Sequence, residues 1–306
     1  MTQLFGRAAL LEVGPSNASG LQVDSRNDEG FRIGFDVVKT IQSETNKATV
    51  QVYNLSPSSR LRIAKGHTLM LLAGYAETME LIYEGEVAAV ETARQGANYV
   101  TTIECGDGTE AFDSQDYKHT FPSGTPVRTV ILKVAEQFKS AMPDDTTAPV
   151  LFGNRPKPTK ASRLSLRNLK RDLDVLETTL KEQGFSTVLR RQMSVAGNAK
   201  DVMNSLASMY RFDWSVQDGT FQIVAYGQAI VGEATYLTED TGLIGIPSLT
   251  EKGCKLTALI QPKIRPGALI TVESAAVEGL FRVEYAHFTG DTHGGQWLVE
   301  VEASAL

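Results

Sequence analysis

Residues 259–272 read LIQPKIRPGALITV, two apolar runs separated by Pro262 and by the pair Pro266-Gly267. Proline has no backbone N–H to donate to a strand ladder, so each proline belongs at a strand end, an edge or a turn. Pro266-Gly267 suits the two central positions of a type II turn, where glycine supplies the positive φ. The stretch therefore predicts a barrel corner between two strands, KLTALI and ALITVE, which pack as neighbours with no pocket between them.

The regions on both sides of this stretch differ in their hydrophobic period. Alternating apolar runs fill the first 115 or so residues and return after residue 229, which predicts short strands in a barrel or sandwich. Helical spacing dominates between them, with helices expected from Val127, over the leucine-rich stretch after residue 165, and from an N-cap at Asn198 with Val202, Leu206 and Met209 inward. A hairpin follows, turned at Asp218-Gly219.

The pattern predicts an α+β, β-rich chain with three domains. These are an N-terminal β domain (1–117), a middle α/β domain with three helices and a hairpin (118–228), and a C-terminal β domain (229–306). A chain of 306 residues is long enough for three domains, and its 42% apolar and 22% charged residues are typical of globular proteins.

Charge and leader patterns limit the function classes. A net charge of −6 argues against general nucleic-acid binding, which needs a basic footprint. Two widely separated cysteines fit a reducing cytoplasm. No signal peptide or membrane-spanning run is expected.

No group of reactive residues has the spacing of a catalytic or metal-binding motif. The four histidines include no metal-binding helical pair, and His293 beside Asp291 is better explained as a turn than as a metal corner. Glu84 and Glu86 share one face of a strand, and we interpret that face as solvated. We therefore expect no enzyme activity, no catalytic or metal site and no cofactor.

The segment spanning residues 155–183 carries two unusual patterns. Seven basic residues and no acid lie from Arg155 to Arg171, which suits an acidic partner, a nucleic acid passing nearby, or a solvated loop balanced by the acids downstream. A leucine stripe then recurs at helical spacing, which suits either a seam between subunits or packing within its own domain. The candidate interface residues are Arg163, Leu166, Arg167, Leu169, Lys170, Arg171, Leu173, Leu176 and Leu180.

Three blocks together resemble one protein family. The first, FRIGFDVVKTIQSETNKATVQVYNLSPSSR, contains Asn-x-Ala-x-Val-x-Val-Tyr-Asn-Leu-Ser before a short helix. The second, VAGNAKDVMNSLASMYRFDWSVQDGTFQIV, joins a helix to a Trp-containing hairpin. The third runs from TGLIGIPSLTEKGCKLTALIQPKIRPGALITVES to GLFRVEYAHFTGDTHGGQWLVEVEA. In this order the blocks resemble phage contractile-tail baseplate hub proteins, a family with relatives in R-type tailocins.

The resemblance implies a fold and an assembly. Both β regions would be tail-tube-like β-barrels, and a homotrimer would present six such barrels to a six-fold tail tube while seating a three-fold central spike. Other implied partners are the tape-measure protein and further baseplate proteins, with no membrane anchor and no specific nucleic-acid binding. The protein would be made in the bacterial host cytoplasm and reside in the virion tail baseplate.

Two alternative functions stay open from the sequence. One is another tube-fold tail component, such as a tube initiator or distal-tail protein. The other is a tail-associated module that binds or degrades cell wall, which would need exposed aromatics or a catalytic Glu/His set.

Overall fold

The computed structural model of the protein describes residues 6–15, 20–26, 30–44, 46–76, 78–106, 116–141, 166 and 168–306. The strands are β1 (Arg7–Gly14), β2 (Leu21–Asp24), β3 (Ile33–Thr40), β4 (Lys47–Tyr53), β5 (Thr68–Tyr75), β6 (Glu80–Gln95), β7 (Asn98–Gly106), β8 (Asp116–Phe121), β9 (Met193–Asn198), β10 (Phe212–Gln217), β11 (Thr220–Ala225), β12 (Thr235–Leu237), β13 (Leu243–Leu249), β14 (Gly253–Leu259), β15 (Leu269–Glu273), β16 (Glu278–Asp291) and β17 (Trp297–Ala305). The helices are α1 (Pro57–Arg60), α2 (Val127–Ala141), α3 (Leu169–Glu182) and α4 (Ala199–Tyr210), and a 3₁₀ turn (Glu239–Thr241) precedes β13.

Within the described part of the chain, thirteen strands from both ends form one sheet. Its order is β13-β14-β17-β16-β3-β4-β7-β6-β5-β1-β2, with β15 on β16 and β12 on β15. The long strand β16 pairs with β15 through its first residues and with β3 through its last, from Tyr285↔Thr40 to Asp291↔Gly34. The β-rich fold class is confirmed. Because β3–β16 pairing joins the two β regions, their division into two tail-tube-like barrels stays a prediction.

The middle of the chain encloses a second hydrophobic core. The ribbon β8–β9, the hairpin β10–β11 and helices α2 to α4 share one buried cluster, and the large sheet has another. Each amphipathic helix buries its apolar stripe here because the stripe has no other partner. The three predicted helices and the Asp218-Gly219 hairpin are all present. The domain limits at 117/118 and 228/229 stay a proposal.

The turn at Pro266-Gly267 forms as predicted, but the strands around it pair differently. The N–H of Ala268 donates to the carbonyl of Arg265 at 2.9 Å, and Gly267 has a φ of 84°, as in a type II turn. The prediction that KLTALI and ALITVE are neighbours is wrong. Strands β17 and β16 lie between β14 and β15, because the long C-terminal hairpin supplies a partner for each.

Helix α4 follows its predicted cap, with one error on its buried face. The Asn198 side chain accepts the N–H of Lys200 at 2.8 Å. Val202 and Leu206 are buried, whereas Met209 is 52% exposed. The prediction that Met209 points inward is therefore wrong, because the buried stripe of α4 runs through Met203, Leu206 and Tyr210 and Met209 lies beside it.

Candidate functional site: an apolar sheet edge and a charged junction

No cluster of acids, histidines and cysteines with metal-holding geometry occurs among the residues that the structure describes. At the suspected corner, the N–H of His293 donates to Asp291 Oδ1 at 2.9 Å, and Arg32 holds the same carboxylate at 2.7 Å. Although partial burial alone would raise it, these hydrogen bonds lower the pKa of Asp291. The geometry is that of a salt-bridged turn.

The leucine stripe of α3 faces the core of its own unit. Its four helical members, Leu169, Leu173, Leu176 and Leu180, are each at most 2% exposed and belong to the middle cluster. They are therefore unavailable to another subunit in this conformation. Of the two interpretations, the structure favours packing within the domain.

The other candidate interface residues differ in accessibility. Lys170 and Arg171 are exposed on α3, and Leu166 is partly buried against the middle core. Arg171 also reaches Asp172 at 3.5 Å, so part of its charge is used within the helix. Arg163 and Arg167 lie outside the described residues. Lys170 and Arg171 thus stay proposed contacts.

Strand β13 forms one edge of the large sheet and carries unusual side chains. Ile244, Ile246 and Leu249 are 43%, 76% and 70% exposed. Pro247 and an irregular register between Ile244 and Ser248 interrupt the strand, as protected sheet edges commonly are. Three large apolar side chains on one edge strand are more typical of a contact surface than of solvent-facing sheet.

A lysine is buried between the two cores. Lys39 lies on the core-facing stripe of β3, after Phe35 and Val37, and is only 2% exposed. Its Nζ donates to both carboxylate oxygens of Asp218, at 2.7 and 2.6 Å. Asp218 is at the tip of the β10–β11 hairpin with a φ of 50°, so the turn inserts its carboxylate into the sheet.

Glu84 completes a group of three ionisable residues. Its backbone N–H donates to Asp218 Oδ1 at 3.2 Å. Burial, with a further contribution from the Asp218 charge, raises the pKa of Glu84 to about 8, although Lys39 lowers it. The interpretation of Glu84 and Glu86 as one solvated pair is therefore wrong for Glu84, and only Glu86 is exposed.

Neutral hydrogen bonds surround this ion pair. Asn46 Nδ2 donates to the Val216 carbonyl at 2.9 Å and to Gln217 Oε1 at 3.0 Å, while Gln217 Nε2 donates to the Thr40 carbonyl at 2.7 Å. These buried amides tie the loop after β3 to strand β10.

Arg282 forms a second polar contact between the units. It is 7% exposed and binds Asp213 of β10 at 3.1 Å and its own strand neighbour Glu284 at 2.6 Å. Its Nη1 also donates to the Gln228 carbonyl at 3.2 Å.

The sequence indicates that a charged residue of this junction is buried, but its local pattern does not identify the partner. A lysine that continues the inward-facing series Phe35, Val37 is a buried cation, and such a cation needs an acidic partner. The Asp-Gly pair predicts the turn, but it assigns the aspartate only a conformational role. Which acid meets which lysine depends on a tertiary contact between residues 179 positions apart, and no local pattern encodes it.

None of the helices in the described part of the chain has both the length and the apolar character needed to cross a membrane.

Comparisons with known proteins agree with this architecture. Residues 153–302 match the family model described as "Baseplate hub gp41". The fold is similar to the 43 kDa tail protein of prophage MuSo2 from Shewanella oneidensis, with a TM-score of 0.57 and 8% identity over 98% of this chain and 97% of that one. A tail protein from Neisseria meningitidis MC58 gives a TM-score of 0.53 and 9% identity over 98% and 97% of the two chains.

A third similar structure comes from a secretion machine. It is the E. coli c3393 protein, described as a component of the type VI secretion system with structural similarity to the T4 bacteriophage tail proteins gp27 and gp5. The TM-score is 0.51, with 8% identity over 92% of this chain and 75% of that one. No curated protein matches the sequence.

The low identities mean that these structural likenesses establish the fold alone, while the family match carries the relationship in sequence. That match begins before α3 and extends through most of β17. The resemblance to baseplate hub proteins predicted from the sequence is therefore confirmed, with residues 153–302 similar to the baseplate hub gp41 family.

Proposed function

We propose that this protein is the structural hub of a phage or phage-like tail baseplate, assembling as a homotrimer that adapts the six-fold tail tube to a three-fold central spike. The observation that carries the proposal is the baseplate hub family match over residues 153–302. The fold likeness to tail proteins over 98% of the chain supports it for the rest of the molecule. The role is architectural and involves no catalysis.

The proposed partners follow from this role. They are two further copies of the chain, the central spike, the tail tube protein, the tape-measure protein and other baseplate proteins. The type VI secretion component with its likeness to phage tail proteins supports a place beside a spike. The protein would be made in the host cytoplasm and end in the virion tail.

We assign the apolar edge of β13 to the contact between copies. Ile246 at 76% exposed and Leu249 at 70% are the side chains that such an interface would bury. Obligate interfaces bury more than about 2,000 Å² and are apolar at their centre, which makes a buried charge there costly. Lys170 and Arg171 on α3 are proposed as contacts with an acidic neighbouring protein.

Light scattering after size exclusion tests the oligomeric state. We expect the wild-type chain to be trimeric, alone or with its spike, and Ile246→Asp to be a folded monomer. Leu61→Asp is the matched control, because Leu61 is 87% exposed just after α1, away from this edge, and should leave the trimer intact. A wild-type chain that stays monomeric even with the spike would contradict the hub proposal. A hexamer would instead favour a tube initiator, and specific retention on purified cell wall would favour a wall-binding module.

A further inference from the structure

Three reactive groups from distant segments meet where the hairpin tip enters the large sheet. Lys39 comes from β3, Glu84 from β6 and Asp218 from the β10–β11 turn. Lys39 Nζ lies 2.6 and 2.7 Å from the two Asp218 oxygens, and the exposed fractions of the two side chains are 2% and 14%. The amine and the carboxyl are thus in contact and largely shielded from water.

Glu84 is the feature that distinguishes this site from an ordinary surface ion pair. Glu84 brings a second carboxyl to the same site, and its own N–H donates to Asp218 Oδ1 at 3.2 Å. An amine held against a carboxyl has a high effective concentration for condensation, since the entropy of bringing the groups together has been lost on folding. An adjacent acid can move the protons that the condensation requires.

We propose that Lys39 and Asp218 condense into an intramolecular isopeptide bond, with Glu84 as the group that transfers protons. The bond is a modification site within the chain, and it does not depend on the proposed assembly role. No external reagent is required, because the only other product is water.

The reaction balances in four transfers. The Lys39 ammonium first gives one proton to the Asp218 carboxylate, which yields a neutral amine and a carboxylic acid. Nζ then attacks Cγ, and the carbonyl electrons move to Oδ1, where the Glu84 N–H stabilises the developing charge. The Glu84 carboxyl protonates the hydroxyl at Oδ2, which leaves as water while the C=O bond re-forms. Nζ finally returns a proton to Glu84, leaving an amide and the original acid.

The environment of Glu84 suits this role. Because burial raises its pKa to about 8, this carboxyl holds a proton near neutral pH and has one to donate.

The bond would join residues 179 positions apart in sequence. It would fix the hairpin of the middle unit covalently to the large sheet, so that force pulling the two units apart would be borne by a covalent bond as well as by packing. Such a cross-link also restricts the unfolded chain, as disulfides that close long loops do.

Intact mass spectrometry of the denatured full-length chain tests the proposal. We expect a mass lower than that of the sequence by one water molecule. Trypsin should release a joined peptide made of residues 33–47 and 212–252, since acylated Lys39 is no longer cleaved. Lys39→Arg and Asp218→Ala should both have their full sequence mass. Glu84→Gln should form the bond at least about 100-fold more slowly, the usual scale of lost acid–base assistance.

Two controls test whether the lost water comes from this bond. Lys47→Arg changes an exposed lysine at the start of β4 and should still lose one water. An Asp-Gly pair can also lose water by closing on its own backbone, and that loss would persist in Lys39→Arg. A persistent loss there, or a wild-type chain with full mass and separate peptides, would overturn the proposal and leave only a buried ion pair. If a variant fails to fold, the joined peptide of the wild-type chain still decides the question.

Discussion

Glu84 links burial to a pH dependence with a definite sign. Burial first, and then the Asp218 charge, raises its pKa from 4.5 to about 8. Between these values the folded chain holds a proton that the unfolded chain has released. The free energy of unfolding should therefore fall as pH rises through this window. Desolvation is the largest cause, so the sign holds whether or not Lys39 and Asp218 are covalently joined.

We predict that Glu84→Gln flattens this part of the stability profile, since glutamine does not titrate. Urea unfolding at pH 4.5 and at about pH 8 measures the change in the free energy of unfolding across this range. Glu86→Gln, at the exposed neighbouring position, is the control and should keep the wild-type slope. An unchanged slope in Glu84→Gln would mean that another group is responsible.

Arg282 provides a second residue-scale prediction. Its guanidinium forms ion pairs with both Asp213 and Glu284, and it is 7% exposed. Removing one partner from a buried ion pair leaves an uncompensated charge and costs about 3–5 kcal/mol. We expect Arg282→Met to lose stability at the lower end of that range in urea unfolding. Arg94→Met, on an exposed part of β6, should change little.

At the scale of elements, the turn at Pro266-Gly267 depends on a glycine for two reasons. A Cβ at Gly267 would lie 2.7 Å from Ile230 Cδ1 and 3.3 Å from Val224 Cγ2, and its φ is 84°. The left-handed backbone costs a side chain about 1–2 kcal/mol, and overpacking adds about 1–3 kcal/mol. Gly267→Val should therefore lose roughly 3 kcal/mol in denaturant unfolding, the sum of these two costs.

Gly227 separates the two contributions. It has a φ of 73°, and a Cβ added there would have nothing within 4 Å, so Gly227→Val should show the backbone cost alone. Equal losses of stability in Gly267→Val and Gly227→Val would indicate that crowding against Ile230 adds nothing to the cost of the substitution.

Elements could be predicted from the sequence far better than their pairing. Alternation predicts short strands before residue 115 and after residue 229, including β14 and β15 at KLTALI and ALITVE, because burial of one face imposes period two on any strand. It misses β13 and the ribbon β8–β9, whose burial patterns are irregular or exposed. Partners such as β3 and β16 are chosen by long-range geometry, so the joined sheet could not be foreseen from local pattern.

For the whole molecule, the two hydrophobic cores are joined by a set of buried polar contacts. The sheet core and the middle core are separate clusters, and Asn46 and Gln217, at 1% and 5% exposed, bridge them together with the Lys39–Asp218 pair. Buried amides that lose their partners cost about 1–3 kcal/mol each. The junction thus determines whether the two cores unfold together.

We predict one calorimetric transition for the wild-type chain and two for the double variant Asn46→Ala, Gln217→Ala. Each core retains its own apolar packing in the variant, whereas the buried amide hydrogen bonds that couple them are lost and the Lys39–Asp218 and Arg282–Asp213 contacts remain. A double variant at nearby, more accessible polar positions, Lys47→Ala with Thr220→Ala, should keep a single transition. If the junction variant also keeps one transition, merely at a lower temperature, then the two amides are not what couples the units, and the coupling comes from the Lys39–Asp218 and Arg282–Asp213 contacts or from apolar contact such as that of Gly267 with Ile230.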